Sequence, residues 1–339
     1  MNEDVLPTLE DVAQDAGVST ATVSRCLNDP SRVAEITRNR VLASVARLGY
    51  LPNFGARALA AKRTDTYGAI IPTMTNAIFA RGLQAFQDEL ARNDATLLVA
   101  SSSYDPMIEE QQIRTMIARG IDGLLLIGTR RSKEIDRLLI RRGMPVVIAW
   151  TIGRADPHSF VGFDNAAAAA AMAQRAIDLG HRRFAFLSGE RRRNDRAADR
   201  VRGVKRALKS AGLDPAELAI EESSYSFEDA GIAFRRLIER DPRAGVVMCG
   251  NDVQAVGALR MAHDMGLSVP GDVSITGFDD IELATVVEPA LTTVHVPHRA
   301  MGRRAAEVLL ARVRGDGPPQ RVKLPTSIVE RQSLAAPPT

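Results

Sequence analysis

The sequence predicts two kinds of structure in one chain: a small all-α unit at the N-terminal end, followed by a larger α/β unit of two doubly wound lobes. Three observations carry this. Residues 8 to 49 space their apolar side chains at helical intervals, interrupted by a glycine. From Tyr67 onward short apolar runs alternate with amphipathic stretches. About ten such runs over some 270 residues are too many for one compact sheet, so two similar lobes are expected.

In the helical region Thr8 can cap the first helix, with Asp11 placed three residues on in the manner of a capping box. Leu9, Val12, Ala13 and Ala16 form its apolar face, and Gly17 stops it. Ser19 can cap a second helix, "TATVSRCLN", and a third is expected from Thr37, with Val41, Val45 and Leu48 on one face. Helix, glycine-containing turn and helix make a helix-turn-helix arrangement. The second helix is unusually plain: Val18 and Val23 suit a core, whereas Thr20, Ala21, Thr22, Ser24 and Arg25 are small or polar and left outside. Pro52 then breaks the chain, and "NFGARALAA" has room for one short helix of about two turns, too short to be stable alone.

The α/β part reads as "YGAIIP", "ATLLVAS", "DGLLLIG", "PVVIAW", "SFVGF", "RRFAFLSG", "LAIEESSY", "AGVVMCGND" and "VSITGFDD" with helices between them. Apolar strands joined by helices imply parallel sheets covered on both faces, with ligand outside the carboxyl ends of the strands.

Composition bounds the function. The 339 residues are 45% hydrophobic and 25% charged, an ordinary globular balance. The formal charge is only +3, but Arg25 to Arg63 holds eight basic residues against two acidic ones, a local +6 that suggests a polyanion partner. The two cysteines, Cys26 and Cys249, form no CxxC pair, so neither a disulfide framework nor a zinc knuckle is expected. Without an apolar leader or a run of about 18 apolar residues, a cytoplasmic location is expected. No GxSxG, HExxH, P-loop or GxGxxG occurs, so the chain reads as a non-enzyme that needs no cofactor or metal. His295 and His298 follow a strand beside a proline, a poor metal site, and adjacent Asp279 and Asp280 point apart rather than forming a dyad.

The motifs "TLEDVAQDAGVSTATVSRCLN", "LGYLPNFGARALA", "CGNDVQAVGAL", "GLSVPGDVSITGFDD", "PALTTVHVP" and "PTSIVER" together resemble the LacI–GalR family of transcriptional repressors over nearly the whole chain. That resemblance implies a helix-turn-helix DNA-binding headpiece (1–52), a hinge helix and linker (53–64), and a periplasmic-binding-protein-like effector and dimerisation domain (65–339). Within the last, one lobe is expected at about 65–163 and 293–323, the other at about 164–292 and 324–339. It implies a homodimer on palindromic operator DNA, controlled by a small carbohydrate-type effector, a sugar or sugar acid, in the cleft between the lobes. No leucine-heptad tail follows "SLAAPPT", which favours a dimer over a tetramer.

By the same resemblance Thr20, Ala21 and Arg25 occupy base-reading positions, and Arg25 has the strongest chemistry because a guanidinium can bond guanine bidentately. Ser19, Thr22, Ser24 and Asn28 suit phosphates, and Thr8, Asn53 and Arg57 join the DNA-contacting set. Leu59 stands where the family wedges a leucine into the minor groove. The bland alternative for Arg25 is a phosphate contact or an ion pair with Asp29; for Leu59, packing on its own lobe.

For the effector the resemblance implies Thr73, Asn76, Phe79, Arg200, Asn251 and Asp279. Asp164, Asn165 and Asp252 are equally explicable as caps of the helices that follow their strands. Trp150 stands where many sugar-responsive members carry an aspartate; it can stack on a sugar or fill the cleft wall. Loss of that acceptor, with Arg200 retained and Arg130 and Arg131 nearby, points toward an acidic effector, and "PTMTNAIFA" and "VGFDN" are similar to gluconate-type regulators of the family. The competing reading is a periplasmic-type sugar-binding protein without DNA function, which would need a leader and no headpiece.

Overall fold

The computed structural model describes residues 6–51, 63–74, 77–154, 156–241 and 244–337. The chain divides into two compact units between Thr64 and Asp65, and each is described by itself.

In the first unit α1 (Leu9–Asp15) opens on a capping box: Asp11 N–H donates to Thr8 Oγ1 at 3.3 Å, and Thr8 N–H donates to the Asp11 carboxylate at 2.7 Å. Gly17 turns the chain at φ +60, and Ser19 caps α2 (Thr20–Asn28) by accepting from Thr22 N–H at 3.2 Å. A short turn at Pro30–Arg32 leads to α3 (Glu35–Leu48), which Gly49 closes at φ +65. This third helix begins two residues earlier than Thr37, the expected start; Glu35 in its first turn complements the helix dipole where no side chain caps it. Val12, Ala13, Ala16, Val23, Cys26, Val41 and Tyr50 form a closed small core.

The second unit starts with β1 (Thr66–Ile71), α4 (Ala77–Ala91), β2 (Thr96–Ser101), α5 (Pro106–Ala118), β3 (Gly123–Ile127), α6 (Lys133–Arg141), β4 (Val146–Ala149) and β5 (Ser159–Gly162). It continues with α7 (Asn165–Asp178), β6 (Phe184–Ser188), α8 (Asp195–Ser210), β7 (Ala219–Glu222), α9 (Phe227–Arg240), β8 (Val246–Cys249), α10 (Asp252–Asp264) and β9 (Ser274–Thr276). After α11 (Leu283–Val286) come β10 (Thr293–His295), α12 (His298–Arg314), β11 (Arg321–Lys323) and β12 (Ser327–Val329).

The first sheet runs β2-β1-β3-β4-β5-β11 and the second β7-β6-β8-β9, every pairing parallel. In both, the lobe's first strand lies between its second and third, so the strand order reverses there and a crevice opens beyond the carboxyl ends. Central strands such as β1, β3, β6 and β8 are buried throughout, as parallel strands with helices on both faces must be. β10 pairs antiparallel with β12, and Asp279 bridges to His295 at the edge of the second sheet.

Two helix contacts depend on glycine. A Cβ at Gly302 of α12 would strike the Gly82 carbonyl of α4, and one at Gly203 of α8 would strike the Ala166 carbonyl of α7. These close approaches seal α12 on the first sheet and the α7–α8 pair on the second.

Candidate functional site

Two arrangements stand out, one in each unit. In the first, the inner face of α2 is spent on Val23 and Cys26, while Thr20, Ala21, Arg25 and Asn28 are exposed and Thr22 and Ser24 half-buried. Ser19 Oγ lies 2.9 Å from Thr22 Oγ1, and Asn28 donates to Ser24 Oγ at 3.3 Å, so these polar groups satisfy one another along one ridge. Asp29 is engaged by Arg32 at 2.8 Å and Ser31 at 2.7 Å, and among the described residues no ion pair holds Arg25. Small side chains and a free guanidinium leave a helix face that can approach a groove closely. Thr8 is occupied as the α1 cap. Asn53, Arg57 and Leu59 lie outside the described residues.

In the second unit the expected effector residues all follow carboxyl ends of strands: Phe79 after β1, Trp150 after β4, Arg200 on α8 after β6, Asn251 after β8 and Asp279 after β9. Phe79, Trp150, Arg200 and Asn251 line one enclosed void of about 20 Å³, and Asp279 adjoins it through Arg200. Thr73 instead lines a wider recess of about 640 Å³ at the mouth, with Tyr104, Asn194, Tyr225 and a run of serines. Asn76 lies outside the described residues.

Arg200 is the hub of the void. Its Nε donates to Asn165 Oδ1 at 3.0 Å, Nη1 donates to the Gly250 carbonyl, and its guanidinium lies 3.7 Å from the Phe278 ring centroid. Asn165 in turn donates to the Trp150 carbonyl at 2.9 Å, so it serves as a linker rather than the cap of α7, which Asp164 supplies. Asp252 does not cap α10 either. Asn251 does so, accepting from Gln254 N–H at 2.8 Å, while Asp252 turns inward to accept from Thr293 Oγ1 and from Ile281 N–H at 2.8 Å.

Unsatisfied polar groups lie at and beside this void. Asp279 approaches Arg200 Nη2 at 3.8 Å and His298 Nε2 at 3.7 Å, yet neither carboxylate oxygen has a hydrogen-bond partner. Asn251 Nδ2 and His298 Nε2 are likewise buried without one. Burial pushes the Asp279 carboxyl up to about 7 against the pull of Arg200, and pushes the His298 imidazole down to about 3. Burial and the neighbouring Asp279 charge raise Asp252 to about 8. Acceptors and donors left open together around one small space are what hydroxyl groups of a ligand can satisfy. The void itself holds about one water, and the wider recess shares Tyr104, Asn194 and Tyr225 with it.

Polar latches hold the lobes in this closed arrangement. Thr129 N–H and Oγ1 both donate to Asp195 at 2.8 Å, Arg193 reaches Asp105 at 3.4 Å, and Arg81 pairs with Glu282 at 2.7 Å. Trp150 is 1% exposed, packed edge-on against Phe79 with centroids 5.6 Å apart, so its ring forms the cleft wall. Arg131 is consumed by Glu109 at 3.1 Å and does not face the void.

Sequence reasoning missed Tyr104, Asn194, Arg196, Tyr225 and His298. Tyr104 and Tyr225 face each other from opposite lobes with centroids 5.5 Å apart, and Asn194 donates to the Tyr225 hydroxyl at 2.9 Å. The scarcity of aromatics, 4% of the chain, was the signal available: both tyrosines sit in loops just after strands.

The helical unit matches the signature of bacterial regulatory proteins of the lacI family at residues 8–53, and a periplasmic binding protein-like domain matches residues 173–334. The catabolite control protein A of Priestia megaterium is 35% identical over 302 residues, 89% of this chain and 91% of its own. Among solved structures, a LacI-family transcriptional regulator from Silicibacter pomeroyi superposes with a TM-score of 0.87 at 28% identity, covering 97% of this chain and 99% of that one. The transcriptional regulator CelR in complex with cellobiose superposes with a TM-score of 0.71 at 29% identity, covering 96% and 99%. The chain therefore belongs to the lacI family of bacterial regulatory proteins, DNA-binding transcriptional regulators with a two-lobed α/β effector domain.

Proposed function

We propose that this chain is a repressor that binds palindromic operator DNA as a homodimer and is controlled by a small carbohydrate-type effector, a sugar or sugar acid, in the cleft between its lobes. The observation that carries the effector reading is the set of unpartnered buried polar atoms on Asp279, Asn251 and His298 beside Arg200. Such atoms cost about 1–3 kcal/mol each when left unmade, so a ligand that satisfies them is bound with corresponding selectivity. The cellobiose found in CelR supports a carbohydrate. Arg200, Asn251 and Asp279 supply donor fork, amide and acceptor; Phe79 and Trp150 supply apolar walls, and Thr73 borders the entry.

The operator reading rests on α2. Arg25 reads a base edge, with Thr20 and Ala21 close to it, while Ser19, Thr22, Ser24 and Asn28 meet phosphates. Two headpieces on one dimer would read two half-sites. The relatives compared are regulators by name, and we read this chain likewise as a regulator rather than an enzyme. No helix among the described residues is long and apolar enough to cross a membrane, and a repressor works where the chromosome is, in the cytoplasm.

The experiment has two arms. Selection of duplexes from a random library is expected to enrich a palindrome bound by the full chain. Calorimetry with gluconate, neutral hexoses, cellobiose and purines is expected to find binding among the carbohydrates. Enrichment of no sequence would remove the operator reading, and purine binding alone would remove the carbohydrate reading.

A further inference from the structure

A second recess, of about 750 Å³, lies between the lobes and shares no lining residue with the Arg200 void. Its walls carry Arg130 and Arg131 from the loop after β3, and Arg192 and Arg193 from the loop after β6. Two acidic residues also line it, but both are spoken for: Asp195 holds Arg196 at 2.8 Å and Thr129, and Asp199 holds Arg202 at 2.7 Å. Of the arginines, only Arg131 is neutralised at close range, by Glu109 at 3.1 Å. Arg193 reaches Asp105 at 3.4 Å, and Arg192 and Arg193 share Glu190 at 3.9 Å each. Among the described residues Arg130 has no ion pair.

Guanidinium groups from two lobes therefore converge on one space with their charge incompletely met. The Arg130, Arg192 and Arg193 side chains face solvent and are only partly paired, so an anion entering from solution can meet the charge that is left. The forked donors of arginine match a tetrahedral oxyanion better than a single carboxylate, because several oxygens must be held at once. The space is several times larger than one phosphate and lies in the range of small-molecule pockets.

We propose that this recess is an anion site for a small phosphate monoester, separate from the effector void, with Arg130, Arg192 and Arg193 holding the phosphoryl group. The inference concerns a different site from the carbohydrate reading and stands without it.

Inorganic phosphate and glycerol phosphate are the probes, titrated into the full chain at fixed ionic strength, with chloride as the reference anion. Amide NMR shifts at Thr129, Ser132 and Gly153 are expected to move saturably, while those of Ser223 and Asn251 around the effector cleft stay. The double variant Arg130→Gln, Arg192→Gln, which spares the Arg193–Asp105 contact, is expected to weaken both probes about tenfold or more, as loss of charge-assisted bonds predicts. A control, Arg236→Gln with Arg260→Gln, removes the same charge from exposed helix surfaces and is expected to leave binding unchanged. Tighter binding of glycerol phosphate than of phosphate marks a monoester; equal binding marks an inorganic phosphate site and overturns the monoester assignment. Shifts confined to the effector cleft, no saturable binding, or equal weakening by the control pair would overturn the site.

Discussion

The indole N–H of Trp150 donates to Nδ1 of His298 at 3.1 Å, both side chains being buried within the first lobe. This bond fixes the imidazole as the Nε2–H tautomer and aims that hydrogen across the cleft at Asp279, 3.7 Å away. Trp150 holds φ +60, a conformation disfavoured for a bulky residue, and the packing of its ring over Gly82 and against Phe79 compensates. Trp150 thus acts through His298, and Trp150→Phe keeps most of the wall while deleting the donor. We expect a stability loss of about 1–3 kcal/mol and a mixed tautomer of His298 in imidazole nitrogen NMR. A single unchanged tautomer would show that something other than Trp150 sets it.

The buried carboxyls predict a pH dependence. Asp252 and Asp279, raised to about 8 and about 7, hold their protons more tightly folded than unfolded. Their contribution to stability is therefore lost as pH rises from the ordinary carboxylate range through those values. His298, lowered to about 3 from 6.5, acts in the opposite sense, but its contribution is complete once the pH passes 6.5. Between about pH 6.5 and 8 the carboxyls act alone, and calorimetric melting of the second unit should fall across that window. In Asp252→Asn the part of the decline above pH 7 should flatten.

Arg25→Ala tests the headpiece. Loss of a bidentate base contact is expected to weaken the selected operator by about 1–3 kcal/mol and to relax preference at one base pair. If Arg25 meets only phosphate, binding weakens uniformly across sequences and the salt dependence drops by about one ion.

Gly203→Ala probes the packing that supports the cleft. With the Ala166 carbonyl directly in the path of the new Cβ, α8 must move away from α7. We expect a loss of about 1–3 kcal/mol, read as a lower melting temperature of the second unit. An unchanged melting temperature would mean the helix pair yields freely.

Much of this was legible in the sequence because it is local. Thr8 and Ser19 cap the helices they precede, and runs such as "GLLLI" and "FAFLS" become buried parallel strands because no helix face could hide so continuous an apolar stretch. Contacts between distant segments were not legible. His298 lies 148 positions from Trp150, and nothing near either residue announces their bond. The choice between Asn251 and Asp252 as cap turned on which side chain could reach Thr293, a partner 41 positions from Asp252. Arg130 and Arg131 are adjacent and identical in type, yet one is bound to Glu109 of α5 and to the Gly128 carbonyl while the other has no ion pair among the described residues.

The central claim is that operator affinity is set by a ligand held at Arg200. Fluorescence anisotropy of the selected operator, with and without the carbohydrate identified by calorimetry, tests it on the wild-type chain and on Arg200→Ala. The account predicts a ligand-dependent shift of about 5–150-fold in wild type and none in the variant, which still binds DNA. An undiminished shift in Arg200→Ala would contradict it.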